Sequence, residues 1–459
     1  MLPGADDRWR LAALSMVMLL PSLGTSIANV SLPSLEASFQ APFEHVQWVV
    51  IGYLLAVTTL IVGAGRLGDL FGRRRPLLMG IGLFALASAA CALAPDIWTL
   101  VLLRGVQGAG AALMMALTIA SVGDMVSPER TGTAMGLLGT VSAVGTALGP
   151  SLGGALIAAF GWALVFWFLA AVGALTLLFA YRMLPRVATR RREPASFDLV
   201  GTLLLVVILG TYALATTIGS SMPASTVITL GAVSLGALLT FAAVEHQSDK
   251  PLVQLNLLRD RSLSVALIAL ALVSAIVMST LVVGPFYLGK GLGLDPLATG
   301  LAMSVGPAVA ALVGVPAGRL VDRFGSGRST MLGLVAVIAG SALMALVPAA
   351  WGVVAYAGNL AIITAGYGLF QAANNTGVVS RAPAAHRGVV SGLLGLARNL
   401  GLITGASAMG AVFALGSRGI AALTLAPGAE TGMHLTFAAA TLLGLLALGL
   451  SAWAEQDGH

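Results

Sequence analysis

Apolar runs of about twenty residues, separated by short clusters of charge, follow one another along this entire sequence. A helix needs about 20 apolar residues to cross the hydrocarbon core of a bilayer, and fourteen stretches fit that length. They lie near residues 11–34, 46–65, 76–95, 97–123, 131–158, 161–181, 199–218, 225–244, 263–289, 296–318, 329–348, 351–378, 388–414 and 432–454. Three charge-free windows are long enough for two crossings each, and they break at Gly161-Trp162, between Ser220 and Ala224, and between Pro348 and Trp351. The pattern predicts an all-α integral membrane protein with fourteen transmembrane helices.

Composition extends this picture. Of 459 residues, 58% are apolar and 9% charged, against roughly a quarter charged in a soluble domain, and the mean hydropathy is +0.96. A soluble enzyme with one anchor, a disordered chain and a nucleic-acid binder are all excluded. The net charge of +6 is topological rather than a sign of an anionic partner: with the N-terminus inside, 20 of the 24 Lys and Arg residues fall on the cytoplasmic side. Both termini are therefore expected in the cytoplasm of a multi-pass cell-membrane protein. Asp6, Asp7, Arg8 and Arg10 precede the first apolar run without a small-residue cleavage site, so that run is expected to stay as a helix. Cys91 is the lone cysteine and the five histidines are dispersed, which leaves no internal disulfide and no metal-ligand spacing. No nucleophile elbow or phosphate loop appears, so neither an enzyme nor a bound cofactor is expected.

The sequence repeats itself. GRLGDLFGRRR at Gly65 to Arg75 recurs as GRLVDRFGSGR at Gly318 to Arg328, 253 residues later, and Gly145 and Gly149 are echoed 256 residues on by Gly401 and Gly405. In transporters such repeats mark two pseudo-symmetric halves with the substrate path between them. The expected organisation is an N-terminal six-helix bundle over 1–185, two inserted helices with flanking cytoplasmic loops over 186–255, and a C-terminal six-helix bundle over 256–459. In the short connection after span 2, Asp69 can oppose the positive end of a neighbouring helix, and Arg73 can pair with an acid such as Asp124 at the end of span 4. Asp322 holds the place of Asp69 in the second copy. Contacts of this kind would latch the cytoplasmic side, while Arg74 and Arg75 read as a solvated basic cluster.

These motifs resemble the major facilitator superfamily. Its signature loop matches Gly65 to Arg73, its fourth-helix motif is similar to Leu103-Arg104-Gly105-Val106-Gln107-Gly108, and its antiporter motif G-x-x-x-G-P-x-x-G-G matches Gly145, Gly149, Pro150, Gly153 and Gly154 in span 5. Small residues spaced by four admit a close neighbour helix, and Pro150 bends the helix. Trp48, Tyr53 and the fourteen spans are similar to the fourteen-helix drug:proton antiporters. That resemblance implies export of small amphipathic, often cationic compounds by alternating access, driven by the proton gradient, with protons, substrate and lipid as partners and a monomer as the working unit. It also implies that spans 1, 4, 9 and 12 line the central cavity. The family usually carries an aspartate in the first helix, where this chain has Gly24.

The residues agree that this departure matters, because no acid falls at the midplane of any span to carry a proton or attract a cation. Arg104 is the clearest embedded charge, and fits either a coupling element or a strut satisfied by carbonyls. Arg398 lies nearer a helix end and fits a structural role. In span 12, Tyr367, Gln371, Asn374 and Asn375 follow i, i+4, i+7, i+8 spacing and share a face; they fit either a neutral ligand or interhelical glue, as does Asn29 in span 1. Met114 and Met115 fit helix packing more readily than an adaptable ligand surface. Phe286 and Tyr287 fit a gate or interfacial anchors. An exporter of one endogenous neutral metabolite or lipid, or a transport-inactive receptor or assembly partner, are the other functions compatible with this set.

Overall fold

In lipid the backbone N–H and C=O groups have no partners but one another, so each apolar run closes into a helix. The computed structural model of the protein describes residues 5–125, 128–184, 199–218, 223–247, 257, 259–381, 387–418 and 428–456, and every regular element among them is helical. The first bundle contains α1 (Ala5–Phe39), α2 (Trp48–Phe71), α3 (Arg74–Ala92), α4 (Ile97–Met125), α5 (Pro128–Phe160) and α6 (Ala163–Met183). Then come α7 (Leu199–Ile218) and α8 (Ala224–Gln247). The second bundle holds α9 (Arg261–Phe286), α10 (Pro296–Phe324), α11 (Ser326–Leu346), α12 (Gly352–Arg381), α13 (Arg387–Thr404, extended by Gly410–Arg418) and α14 (Ala429–Gln456). Among the described residues thirteen helices are long and apolar enough to cross a bilayer, and α5 carries a shorter apolar stretch, Val144–Phe160, in keeping with a fourteenth.

Helix ends are set by local chemistry. The Asp260 carboxylate caps α9 by accepting from the Ser262 and Leu263 amides at 2.9 and 3.2 Å, and Asp295 caps α10 through Ala298 at 2.7 Å with Pro296 in the first turn. Asp96 does the same for α4, accepting from the Trp98 and Thr99 amides at 2.9 and 3.0 Å. Hydrogen bonds from the Thr99 hydroxyl and these amides hold the Asp96 carboxyl below the usual carboxylate range. Its cap is therefore fully present above the ordinary pKa of about 3.9 and lost as pH falls through the lower folded value. Asp96→Asn is expected to remove this small acid-sensitive increment, which thermal melts in detergent across that pH range would show.

The chain divides into two compact units, Met1–Val206 and Val207–His459, with the boundary inside α7. Within the first unit α1 packs on α5, α2 on α4, and α3 on α4 and α6; within the second, α9 packs on α13, α10 on α12, and α11 on α12 and α14. The sequence repeat is thus a repeat of helix pairing. Both copies of the repeated motif turn at one glycine, Gly72 with φ 76° and Gly325 with φ 81°, a conformation that side chains with a Cβ avoid.

Glycines also set the closest crossings. A methyl group on Gly110 of α4 would lie 2.8 Å from the Gly80 carbonyl oxygen of α3, and one on Gly366 of α12 would lie 2.8 Å from the Gly333 carbonyl oxygen of α11. On α5, a Cβ at Gly145 would sit 2.7 Å from the Leu19 carbonyl oxygen, and one at Gly153 would sit 2.8 Å from Ile27 Cγ1. Gly401 and Gly405 face α9 in the same way, with Ser274 Cβ and Met278 Cβ at 2.7 and 2.6 Å. Pro150 interrupts the regular bonding of α5. At the matching place in the second unit a π turn, Gly405–Met409, interrupts α13.

The helix α8 is exposed along most of its length, with Ile228, Val233, Leu235, Leu238 and Leu239 all open. It touches α7 through the Ser234 hydroxyl, which donates to the Ile208 carbonyl at 3.1 Å. Tyr212 on α7 bonds the Thr404 hydroxyl of α13 at 3.2 Å.

Candidate functional site

Arg104 lies wholly buried on α4, at 0% exposure. Small residues on α4 let its neighbours approach closely: a Cβ on Gly108 would lie 2.6 Å from the Tyr53 carbonyl oxygen of α2, and one on Gly110 would lie 2.8 Å from the Gly80 carbonyl oxygen of α3. Its Nε donates to the Val49 carbonyl at 3.0 Å, and Nη1 donates to the Gly24 carbonyl at 3.3 Å and to Gln107 Oε1. The guanidinium carbon stands 4.3 Å from the centre of the Tyr53 ring. Gln107 Nε2 then donates to the Ser88 hydroxyl at 2.6 Å, which donates to the Phe84 carbonyl at 2.6 Å. Every partner is neutral, and Nη2 has none. The Phe84 ring covers the side of α1 where Gly24 stands, with its Cζ 2.9 Å from the place of a Cβ on that residue.

Two further buried amides in this unit lack partners. Asn29 on α1 and Gln47, just before α2, are both at 0% exposure, and neither the oxygen nor the nitrogen of either amide is hydrogen-bonded. Gln107 and Gln47 were not singled out by sequence pattern as candidates. Gln107 is nonetheless legible as the residue at i+3 from Arg104, the spacing at which helix side chains meet.

The repeated motif is mostly helix rather than loop. Because α2 runs through Phe71 and α3 starts at Arg74, only Gly72 and Arg73 form the turn. Charged residues at a membrane surface end the apolar run without ending the helix. Arg73 donates to the Ala120 carbonyl in the last turns of α4, while the side chains of Asp69 and Asp124 lie outside the described residues. The expectation that Arg74 is a solvated charge is corrected: its Nε and Nη2 donate to the Leu184 and Tyr181 carbonyls at 3.0 and 2.7 Å, and it covers the Tyr181 ring. It thereby satisfies carbonyls at the C-terminal end of α6, where a cation is favoured. In the second copy Asp322 is exposed.

On α12 the amide face divides. The Tyr367 hydroxyl accepts from Gln371 Nε2 at 3.1 Å, and Asn374 Nδ2 donates across to the Ala266 carbonyl of α9 at 3.3 Å. Asn374 is therefore interhelical glue. Asn375 Oδ1 is buried without a partner, as is Asn359 Nδ2 one face earlier. Arg398 is exposed and Met114 is core. Interfacial anchoring is corrected for Phe286 and Tyr287, both 1% exposed: Tyr287 packs on Tyr356 with ring centres 5.9 Å apart, and Phe286 on Phe413 at 6.2 Å. No group of three or more potential metal ligands occurs among the described residues.

The helical architecture matches known proteins. The family model of the Major Facilitator Superfamily matches residues 14–406. The chain belongs to that superfamily. Among its relatives, the multidrug resistance protein Stp of Mycobacterium tuberculosis is 31% identical over 409 residues, 88% of this chain and 75% of Stp. The methylenomycin A resistance protein of Streptomyces coelicolor is 30% identical, covering 97% of this chain and 91% of that protein. Among solved structures, a peptide transporter of the POT type in complex with sulfate superposes with a TM-score of 0.69 at 18% identity, over 97% of this chain and 94% of the other. An inward-facing bacterial homologue of the lysosomal transporter Spinster does so with 0.70 at 16%, over 99% and 98%. As a major facilitator protein, the chain is a multi-pass membrane transporter of small molecules.

Proposed function

We propose that this major facilitator protein is a secondary active exporter of small amphipathic compounds, working as a monomer by alternating access and energised by proton antiport. What supports the reading above all is that relatives about 30% identical over most of the chain are named as multidrug and antibiotic resistance proteins. The excess of basic residues on one side of the spans supports a cytoplasmic location for both termini. Asp69, Arg73, Asp124 and Asp322 then belong to the cytoplasmic latch, and α7 and α8 stand aside from the substrate path. Outward flux of a fluorescent amphiphile from proteoliposomes, dependent on an imposed pH gradient, tests transport and coupling together. No flux of any amphiphile would favour a receptor or assembly partner instead.

Substrate contact in the second unit falls to Gln371 and Asn375, the amides on the Tyr367 face of α12 that are not committed to another helix. Gln371→Leu and Asn375→Leu are each expected to weaken ligand binding by about 1–3 kcal/mol, roughly five-fold to over a hundred-fold, with little change in melting temperature. Asn374→Leu should do the reverse, costing stability and sparing affinity. Ligand titration beside thermal melts separates the two patterns, and lost stability with unchanged binding in the first pair would remove both residues from the site.

A further inference from the structure

Among the described residues, Arg104 is a full positive charge with no negative partner. Arginine stays protonated in proteins, and here the cation is solvated by the Val49 and Gly24 carbonyls, the Gln107 amide oxygen and the Tyr53 ring, all of them neutral. Glu36 and Glu44, the acids toward the far end of α1 and in the short Phe43–Val46 helix, do not bond it, and each has contacts of its own. Phe84 fills the space a side chain would need at Gly24, whose carbonyl bonds the guanidinium. Such a charge is costly to bury, and its field is not cancelled by anything it touches.

Two amides with unmet hydrogen bonds belong to the same two segments that supply the backbone carbonyls bonded to Arg104. Asn29 lies five residues beyond Gly24 on α1, about 7.5 Å along the axis at 1.5 Å per residue. Gln47 lies two residues before Val49. Both are fully buried, with donor and acceptor atoms unpartnered, and since buried polar groups are normally hydrogen-bonded, two amides that are not call for an explanation. Resting on the export reading above, we propose that Asn29 and Gln47 contact the substrate in this unit, and that Arg104, bonded to the segments that carry them, makes it a neutral or anionic amphiphile rather than a cation. At about 10 Å and an effective dielectric of about 20, a unit charge changes the affinity for an anion relative to a neutral ligand by about tenfold, and relative to a cation by more.

Two xanthene dyes, anionic fluorescein and cationic rhodamine 6G, test this with the full chain in nanodiscs of zwitterionic lipid. Fluorescence anisotropy should show tighter binding of fluorescein by the wild type. Arg104→Gln should shift the affinity ratio of the two dyes at least about tenfold toward rhodamine 6G, and Arg104→Lys should hold it within about twofold. A second variant, Gly24→Asp with Phe84→Ala, sets a carboxylate beside an intact Arg104 and should shift the ratio in the same direction even if Arg104→Gln fails to fold. Preference for rhodamine 6G in the wild type, an unchanged ratio in the folded variants, or binding of neither dye overturns the proposal. Dye efflux from proteoliposomes stands apart from this ordering: binding in the expected order without efflux removes the export reading alone, and efflux with rhodamine 6G preferred removes the selectivity alone.

Discussion

Gln107→Leu is expected to destabilise the protein by about 3 kcal/mol, more than any other single polar-to-apolar change in the first unit. Among the described residues, the side chain gives Arg104 Nη1 its only side-chain oxygen and gives the Ser88 hydroxyl its only donor from another helix. Leucine would leave a wholly buried guanidinium, already short of a partner at Nη2, with backbone carbonyls alone. Losing a hydrogen bond to a buried charge costs about 1.5–3 kcal/mol, because the charge remains and its solvation does not. The double variant Arg104→Met with Gln107→Leu should recover most of the loss, since removing both members of a buried polar pair is close to neutral. Melting temperatures of the two single variants and the double variant close the cycle. A coupling near zero would mean that Arg104 draws its solvation from Val49, Gly24 and Tyr53 alone.

The fourteen helices were legible because charge punctuates the sequence wherever the chain leaves lipid. Their limits agree with the helical segments to within a few residues in most cases, as at 199–218 for α7. Hydropathy locates the edge of the lipid and not the end of the helix. For that reason α2 and α10 run on through Asp69 and Asp322 to single glycines, although the charged motif reads as a loop. Burial of the long side chains was less legible. Arg74 spends its donors on the carbonyls that end α6 more than a hundred residues away, and no local pattern announces which helix end will lie beside a given arginine. The spacing of Tyr367, Gln371, Asn374 and Asn375 identifies one face of α12 but not what that face meets, so Asn374 reads the same as Asn375 until the Ala266 carbonyl is in view. Arg104 was visible as a charge inside a span. That Phe84 covers α1 at Gly24, instead of an acid reaching the guanidinium, depends on how three helices cross.

Gly149→Val is expected to prevent the first unit from assembling. A Cβ at this position would lie 2.7 Å from Ser26 Cβ and 2.8 Å from the Ile27 amide nitrogen of α1, before the two methyl groups of valine are added. The Ile27 nitrogen is backbone, so the clash is relieved only if α1 moves as a whole. That movement would also strip the contacts at Gly145 and Gly153 and the hydrogen bond between the Ser22 and Ser142 hydroxyls, 2.6 Å long. Overpacking of a well-fitted core costs about 1–3 kcal/mol where side chains can yield, and more here because a helix backbone must. Gly149→Ala should fall within that range. Adding Ser26→Gly should recover only part of it, since the amide nitrogen of Ile27 stays in place. Gly236→Ala supplies the contrast: nothing lies within 4 Å of its Cβ position on α8. Removing a glycine from an open helix position should stabilise by up to about 1 kcal/mol. Yield of monodisperse protein and melting temperature would rank the four variants, and a Gly149→Val protein as stable as Gly236→Ala would show that α1 and α5 are not held by this close approach.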